Sequence, residues 1–241
     1  MKSIISITDL QVAYQKTVVL DEVTLEIPAG QITGIIGPNG SGKTTLLKSI
    51  MGLIPIEKGT IRILDQPLYA IRKALAYVPQ RESVDWNFPA SVFDVVAMGR
   101  LNTQKWWKRL NQEDLTIINK ALEQVQLTEF RDRQIGQLSG GQQQRVFLAR
   151  ALAQQAQIIL MDEPFVGVDM VSQSAILEVL FELRAQGKSM IIVHHDLLTV
   201  SNYFDYAILL NNKVVATGPT SEVLQPETLE KAYGATLLLN R

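Results

Sequence analysis

The sequence predicts an α/β fold: a mainly parallel sheet, an antiparallel β subdomain at the N-terminus, and a helical subdomain inserted between sheet strands. Three observations predict it. The first thirty residues alternate apolar and polar side chains. Four later runs are short and almost wholly apolar, with helical segments between them. Residues 88–152 carry helical periodicity and no confident strand pattern. Alternation marks strands with one wet face, whereas continuous apolar runs mark strands covered on both faces, as parallel strands are.

Taken in order, Ile5 and Ile7, then Val23, Leu25 and Ile27, stand against polar neighbours and read as half-exposed antiparallel strands. The buried runs are 32–36, 75–78, 158–161 and 190–193. Between the second and third, 91–98, 112–125 and 142–152 have helical spacing, as does 172–186 after the third. Residues 206–210 and 213–217 flank Asn211-Asn212 and read as a late hairpin. The expected organisation is one domain over 1–241. Residues 1–87 and 153–241 form its β subdomain and core, and 88–152 its helical subdomain.

Composition narrows the function classes. With 46% apolar residues in 241, a sizeable core can be buried. A net charge of −1 lacks the basic excess of a nucleic-acid binder, so no nucleic-acid partner is expected. The absence of cysteine excludes disulfides and Cys-ligated zinc, and fits a reducing compartment. No stretch approaches the ~20 apolar residues of a membrane span. The N-terminus interleaves Ser, Thr and Asp with its isoleucines, which suits a strand rather than a signal peptide. A cytosolic chain is expected unless it docks on something else.

Each buried run ends in polar residues. After Ile36 comes GPNGSGKTT; after Val78, Pro79-Gln80; after Met161, Asp162-Glu163-Pro164; after Val193, His194-His195-Asp196. Open α/β sheets bind ligands beyond the carboxyl ends of their strands, so the four ends are expected to line one site. Residues 37–44 follow the Walker A pattern G-x-x-x-x-G-K-[ST], with a strand before and a helix after. That makes the fold a P-loop NTPase core. The loop Gly37, Pro38, Asn39, Gly40, Ser41 and Gly42 would wrap phosphates with backbone N–H groups. Lys43 would place a charge by the β- and γ-phosphates, and the Thr44 hydroxyl would ligate Mg²⁺. Asp162, closing an apolar strand, suits a Walker B carboxylate for Mg²⁺, and Glu163 beside it a general base. Gln80 can touch Mg²⁺ or the attacking water. His194 and His195 are the only histidines in the chain, and either can hydrogen-bond the γ-phosphate.

Residues 138–152, LSGGQQQRVFLARAL, raise a separate question. From Gln142 onward this is good helix, and Ser139 is a good N-cap. Yet Gly140 and Gly141 occupy the first turn, at a cost of roughly 1 kcal/mol each against alanine. A helix start stripped of side chains suits close approach of an anion.

Together these residues resemble the nucleotide-binding subunit of an ATP-binding cassette (ABC) transporter along essentially the whole chain. GPNGSGKTT resembles its Walker A, Thr45 included; Gln80 its Q-loop; LSGGQ its signature motif, with Ser139, Gly140, Gly141 and Gln142; ILMDEP its Walker B with catalytic Glu163. Val168-Asp169 resembles the D-loop, although Gly-Val precedes that Asp where Ala-Leu is commoner. The switch histidine of the family stands directly before an Asp, which selects His195. Tyr14 resembles the aromatic residue that stacks on adenine. The resemblance implies a head-to-tail homodimer closed by ATP and reopened by hydrolysis. In it, the signature helix of one copy caps the γ-phosphate held by the other.

It further implies a separate transmembrane permease, so the chain would sit peripherally on the cytoplasmic face of the membrane. Residues 81–100, RESVDWNFPASVFDVVAMGR, present Trp86 and Phe88 and match the region that accepts a helix of that permease. Trp106 and Trp107 are candidates for touching lipid headgroups or the same partner. The wording of 81–100, with HHDL at 194–197, resembles the manganese, zinc and chelated-iron uptake branch, which works with an extracytoplasmic substrate-binding protein. Nothing in the chain itself would ligate a transported ion. Two alternatives stand: import of haem, siderophore or another small solute, and a soluble ABC clamp acting on ribosomes or DNA. The single Walker A, single LSGGQ and lack of a heptad run argue against the clamp.

Overall fold

The computed structural model describes residues 2–101 and 110–234. Trp106, Trp107 and the 237–239 leucines lie outside them. The chain divides into two compact units, one made of the residues up to Arg72 and from Arg184 onward, the other of Lys73–Leu183.

The first unit opens with β1 (Ser3–Tyr14), β2 (Thr17–Pro28), β3 (Ile32–Ile36), α1 (Lys43–Ile50), β4 (Lys58–Ile63), β5 (Gln66–Pro67) and the short α2 (Leu68–Ile71). The second holds β6 (Leu75–Val78), α3 (Val92–Leu101), α4 (Gln112–Gln124), α5 (Gly140–Ala153), β7 (Ile158–Asp162) and nearly all of α6 (Met170–Ala185). The chain returns to the first unit for β8 (Ser189–Val193), α7 (Leu197–Tyr203), β9 (Tyr206–Asn211), β10 (Lys213–Pro219), α8 (Thr220–Val223) and α9 (Pro226–Tyr233).

In the first unit β1 and β2 form the expected antiparallel hairpin, closed by Gln15 (φ 47°) and Lys16 (φ 75°). Two left-handed residues in a row are what a two-residue turn needs to match strand twist. β1 also pairs antiparallel with β4, a strand the sequence pattern did not announce. β3 is buried at all five positions and runs parallel to both β8 and β9, the covered environment its apolar run implied. β9 and β10 form the late hairpin, with Asn212 (φ 57°) at its turn.

In the second unit β6 and β7 are parallel, Val78 opposite Met161. α3, α4 and α5 are tied by one buried group. Arg100 pairs with Asp114 at 2.9 Å and donates to Ala153 O at 2.9 Å. Asp114 also accepts from the Asn111 backbone in a reciprocal cap of α4. Helix α5 starts at Gly140, two residues before the expected boundary, because Ser139 caps it there. Among the described residues, no helix is long and apolar enough to cross a membrane.

Candidate functional site

In the first unit, the loop between β3 and α1 is shaped by glycine. Gly37 (φ 151°) and Gly42 (φ 95°) both take left-handed geometry. A Cβ at Gly37 would stand 2.0 Å from Leu210 O, and one at Gly42 2.6 Å from the Leu20 side chain. The loop is thus wedged between β9 and β2. Gly42 caps α1 without a side chain, so the first N–H groups of α1 face the loop, as anion binding requires. Lys43 is buried and curls back over the loop, its Nζ donating to Gly37 O (2.9 Å) and Pro38 O (2.8 Å). Ser41 Oγ is buried with no hydrogen-bond partner among the described residues, an orphan that a phosphate oxygen would satisfy. Asn39 and Gly40 are exposed; Thr44 and Thr45 are half-buried. Tyr14, opposite Thr17 at the hairpin end, is 46% exposed.

The two histidines differ sharply. His194 N donates to Ile35 O at the strand end leading into the loop (3.0 Å). Its ring is buried edge-on to Phe204 and shares a 2.7 Å hydrogen bond with Thr199 Oγ1. Thr199 Oγ1 also lies within hydrogen-bond distance of the Asp196 carbonyl (3.1 Å), so the ring is tied to the start of α7. Burial, with help from the adjacent His195, pushes the His194 imidazole down to about 4. His195 is exposed.

The second unit brings together the ends of β6 and β7. Gln80 Nε2 donates to Glu163 Oε2 at 3.4 Å. Glu163 has φ 49°, a left-handed non-glycine residue, a strain of order 1–3 kcal/mol that collects at functional positions. Asp162 is 2% exposed at the end of β7. Burial pushes the neighbouring Tyr77 hydroxyl up to about 12, and the Asp162 charge adds to it.

At the start of α5, Ser139 is the N-cap the sequence predicted, and Gln142 closes it. Ser139 Oγ accepts from Gln142 N (3.3 Å) while Gln142 Oε1 accepts from Ser139 N (2.9 Å), a closed capping box. Of the first-turn N–H groups, those of Gly140 and Gly141 have no partner among the described residues. Packing also demands the second glycine: a Cβ at Gly141 would fall 2.2 Å from Ser172 Oγ and 3.0 Å from Asp169 Oδ2. Asp169 is itself a cap, accepting from Ser172 N at 2.9 Å, and these bonds to Ser172 hold its carboxyl below the usual range.

Trp86 is half-buried rather than presented: its ring meets Phe147 edge-on at 5.6 Å and Nε1 donates to Arg81 O (2.9 Å). Phe88 is 55% exposed. Sequence reasoning missed two residues. Arg81 lies over Gly140 and donates through Nε to Gln143 Oε1 (2.9 Å), linking the Q-loop segment to α5. Asn212 holds Ser41 O through its own N–H (2.9 Å). Arg81 carried a signal in adjoining Gln80; Asn212 read only as a turn residue.

Comparison with known proteins gives a consistent picture. The family model described as ABC transporter matches residues 20–166. The manganese transport system ATP-binding protein MntB of Listeria monocytogenes is 51% identical over 228 residues, 95% of each chain. The zinc transport system ATP-binding protein TroB of Treponema pallidum is 48% identical, over 97% of this chain and 88% of its own. Among solved structures, the ADP conformation of MJ1267, an ATP-binding cassette of an ABC transporter, superposes with a TM-score of 0.83 at 27% identity. It covers 97% of this chain and 99% of that one.

Proposed function

The chain belongs to the ABC transporter family, and from that membership we propose that it is the ATP-hydrolysing subunit powering import of a metal ion. The ion is of the manganese, zinc or iron class and crosses through a separate membrane permease. One observation carries the reading: relatives named for manganese and zinc transport match 95% and 97% of the chain at 51% and 48% identity. We read 88–152 as the helical signature subdomain, and 1–87 with 153–241 as the β subdomain and ATPase core.

ATP is held by the loop from Gly37 to Gly42, with Lys43, Thr44 and Thr45, and Tyr14 stacks on the base. Thr44, Gln80 and Asp162 offer a hydroxyl, an amide oxygen and a carboxylate, the all-oxygen set that suits Mg²⁺. Mg²⁺ held by these residues would offset the negative charge that develops on the phosphates. Glu163 takes the proton of the attacking water, oriented by the Gln80 amide that supports its carboxylate. His195, the exposed histidine, hydrogen-bonds the γ-phosphate, while buried His194 braces the strand end. Ser139, Gly140, Gly141, Gln142 and Asp169 of a second copy complete the site in a head-to-tail homodimer. Since phosphoryl transfer depends mainly on positioning and charge, hydrolysis waits for that closure. The subunit works at the cytoplasmic face of the membrane, and an extracytoplasmic binding protein delivers the cargo.

Glu163→Gln tests the chemistry and the cargo together. The variant is expected to bind ATP, to accumulate as an ATP-dependent dimer, and to lose at least ~100-fold in turnover. Cells lacking the chain should lose uptake of manganese, zinc or iron, and the variant should not restore it. An undiminished rate removes Glu163 as base; unchanged uptake of all three metals removes the cargo.

A further inference from the structure

The phosphate loop is held from outside by a residue that no nucleotide motif contains. The β1–β2 ladder carries a bulge: Val12 faces Leu20 while Ala13 faces Val18, so Val19 is the extra residue. A bulge takes a carbonyl out of the ladder. The Val19 carbonyl is taken up by Asn212, whose Nδ2 donates to it at 3.0 Å. The Asn212 backbone makes two more bonds, accepting from Asp21 N (2.9 Å) and donating to Ser41 O inside the phosphate loop (2.9 Å). Its φ of 57° allows all three at once, a geometry asparagine tolerates well. Next to it, Lys213 pairs with Asp21 (2.9 Å) and Glu22 (3.2 Å), and Asn211 Nδ2 donates to Ala232 O (2.9 Å) at the end of α9. The bulged Val19–Leu20 segment is the one that presses on Gly42. A single turn therefore ties the Tyr14 hairpin to the middle of the phosphate loop.

We propose that Asn212 is a positioning residue for nucleotide binding, fixing the distance between the base-stacking face of the hairpin and the loop that wraps the phosphates. The inference rests on the reading that Tyr14 stacks on the base. The side-chain bond to Val19 sets the hairpin, and the backbone bond to Ser41 sets the loop. Losing the side chain alone should loosen the base while leaving the phosphates in place.

The test compares two probes on the full chain, ATP and inorganic tripolyphosphate, each with Mg²⁺. Asn212→Gly keeps the left-handed turn and its backbone bonds and deletes the carboxamide. Asn212→Asp keeps shape and turn preference but points an acceptor at the Val19 carbonyl. Both should weaken ATP about 3–10-fold, the worth of one hydrogen bond, and leave tripolyphosphate within about twofold. Tyr14→Ala should show the same selectivity. A general loss of structure would weaken both probes alike, and that result overturns the proposal. If Tyr14→Ala loses ATP selectively while both Asn212 variants bind it as the parent does, the clamp alone fails. If Tyr14→Ala binds ATP unchanged, the stacking reading falls and takes the clamp with it.

Discussion

Two adjacent histidines with opposite environments show what one strand end decides. Both follow directly on β8, and there the His194 ring is buried while the His195 ring is exposed. The sequence offered both, and only the following Asp separated them. The buried ring makes a distinct prediction. Its folded value of about 4 lies below the ordinary 6.5, so the unfolded chain binds the extra proton across that window. Stability is therefore complete above pH ~6.5 and lost as pH falls toward ~4, by on the order of 3 kcal/mol for this group. His194→Gln keeps a hydrogen-bond partner for Thr199 without a titrating ring. Urea unfolding at pH ~7.5 and ~5 should show a smaller pH loss for this variant than for the parent. His195→Ala should leave that pH dependence intact and cut hydrolysis instead. The reverse pattern would exchange the roles of the two residues.

At the scale of elements, α5 shows that a glycine pair can answer to packing as well as to an open helix start. The bare first turn was read as room for an anion, and the structure adds that Gly141 has no room for anything else. Gly141→Ala would drive its methyl into Ser172 on α6, where backbone rather than a flexible side-chain tip must yield. A cost of about 1–3 kcal/mol follows. Gly140→Ala meets chiefly the end of Arg81, at 3.2 Å, and should cost less. Thermal melting of the two variants decides the matter; equal, negligible shifts would return Gly141 to anion approach alone. The same contrast explains what was legible. β3, β7 and β8 were read almost to the residue, because burial at every position leaves an unmistakable apolar run; β6, fully buried only at Ala76 and Val78, was read from its four apolar residues. β4 was missed because KGTIRI is mostly exposed and its partner β1 lies some fifty residues away. Gln80 and Glu163 could be named from strand ends, but their meeting depends on the β6–β7 register, which no local pattern encodes. Asn212 was invisible for the same reason: its partners Val19 and Ser41 are distant in sequence.

For the whole molecule, the decisive question is whether one chain completes its own nucleotide site. The capping box at Ser139 sharpens the test, because it separates helix stability from anion binding. Ser139→Arg removes a side-chain cap worth about 1 kcal/mol. For a chain of this size that shifts melting by only ~2–4 °C. The same change puts a long side chain over the Gly140 and Gly141 N–H groups, where a γ-phosphate held by a second copy would arrive. In the Glu163→Gln background, ATP should then still bind each copy with parental affinity, while the ATP-dependent dimer disappears from gel filtration. Ser139→Ala provides the control: it loses the cap, keeps the glycine N–H groups open, and should still dimerise. If Ser139→Arg dimerises as readily as Ser139→Ala, the start of α5 is not where a second copy's nucleotide seats, and α5 serves the packing of its own unit alone.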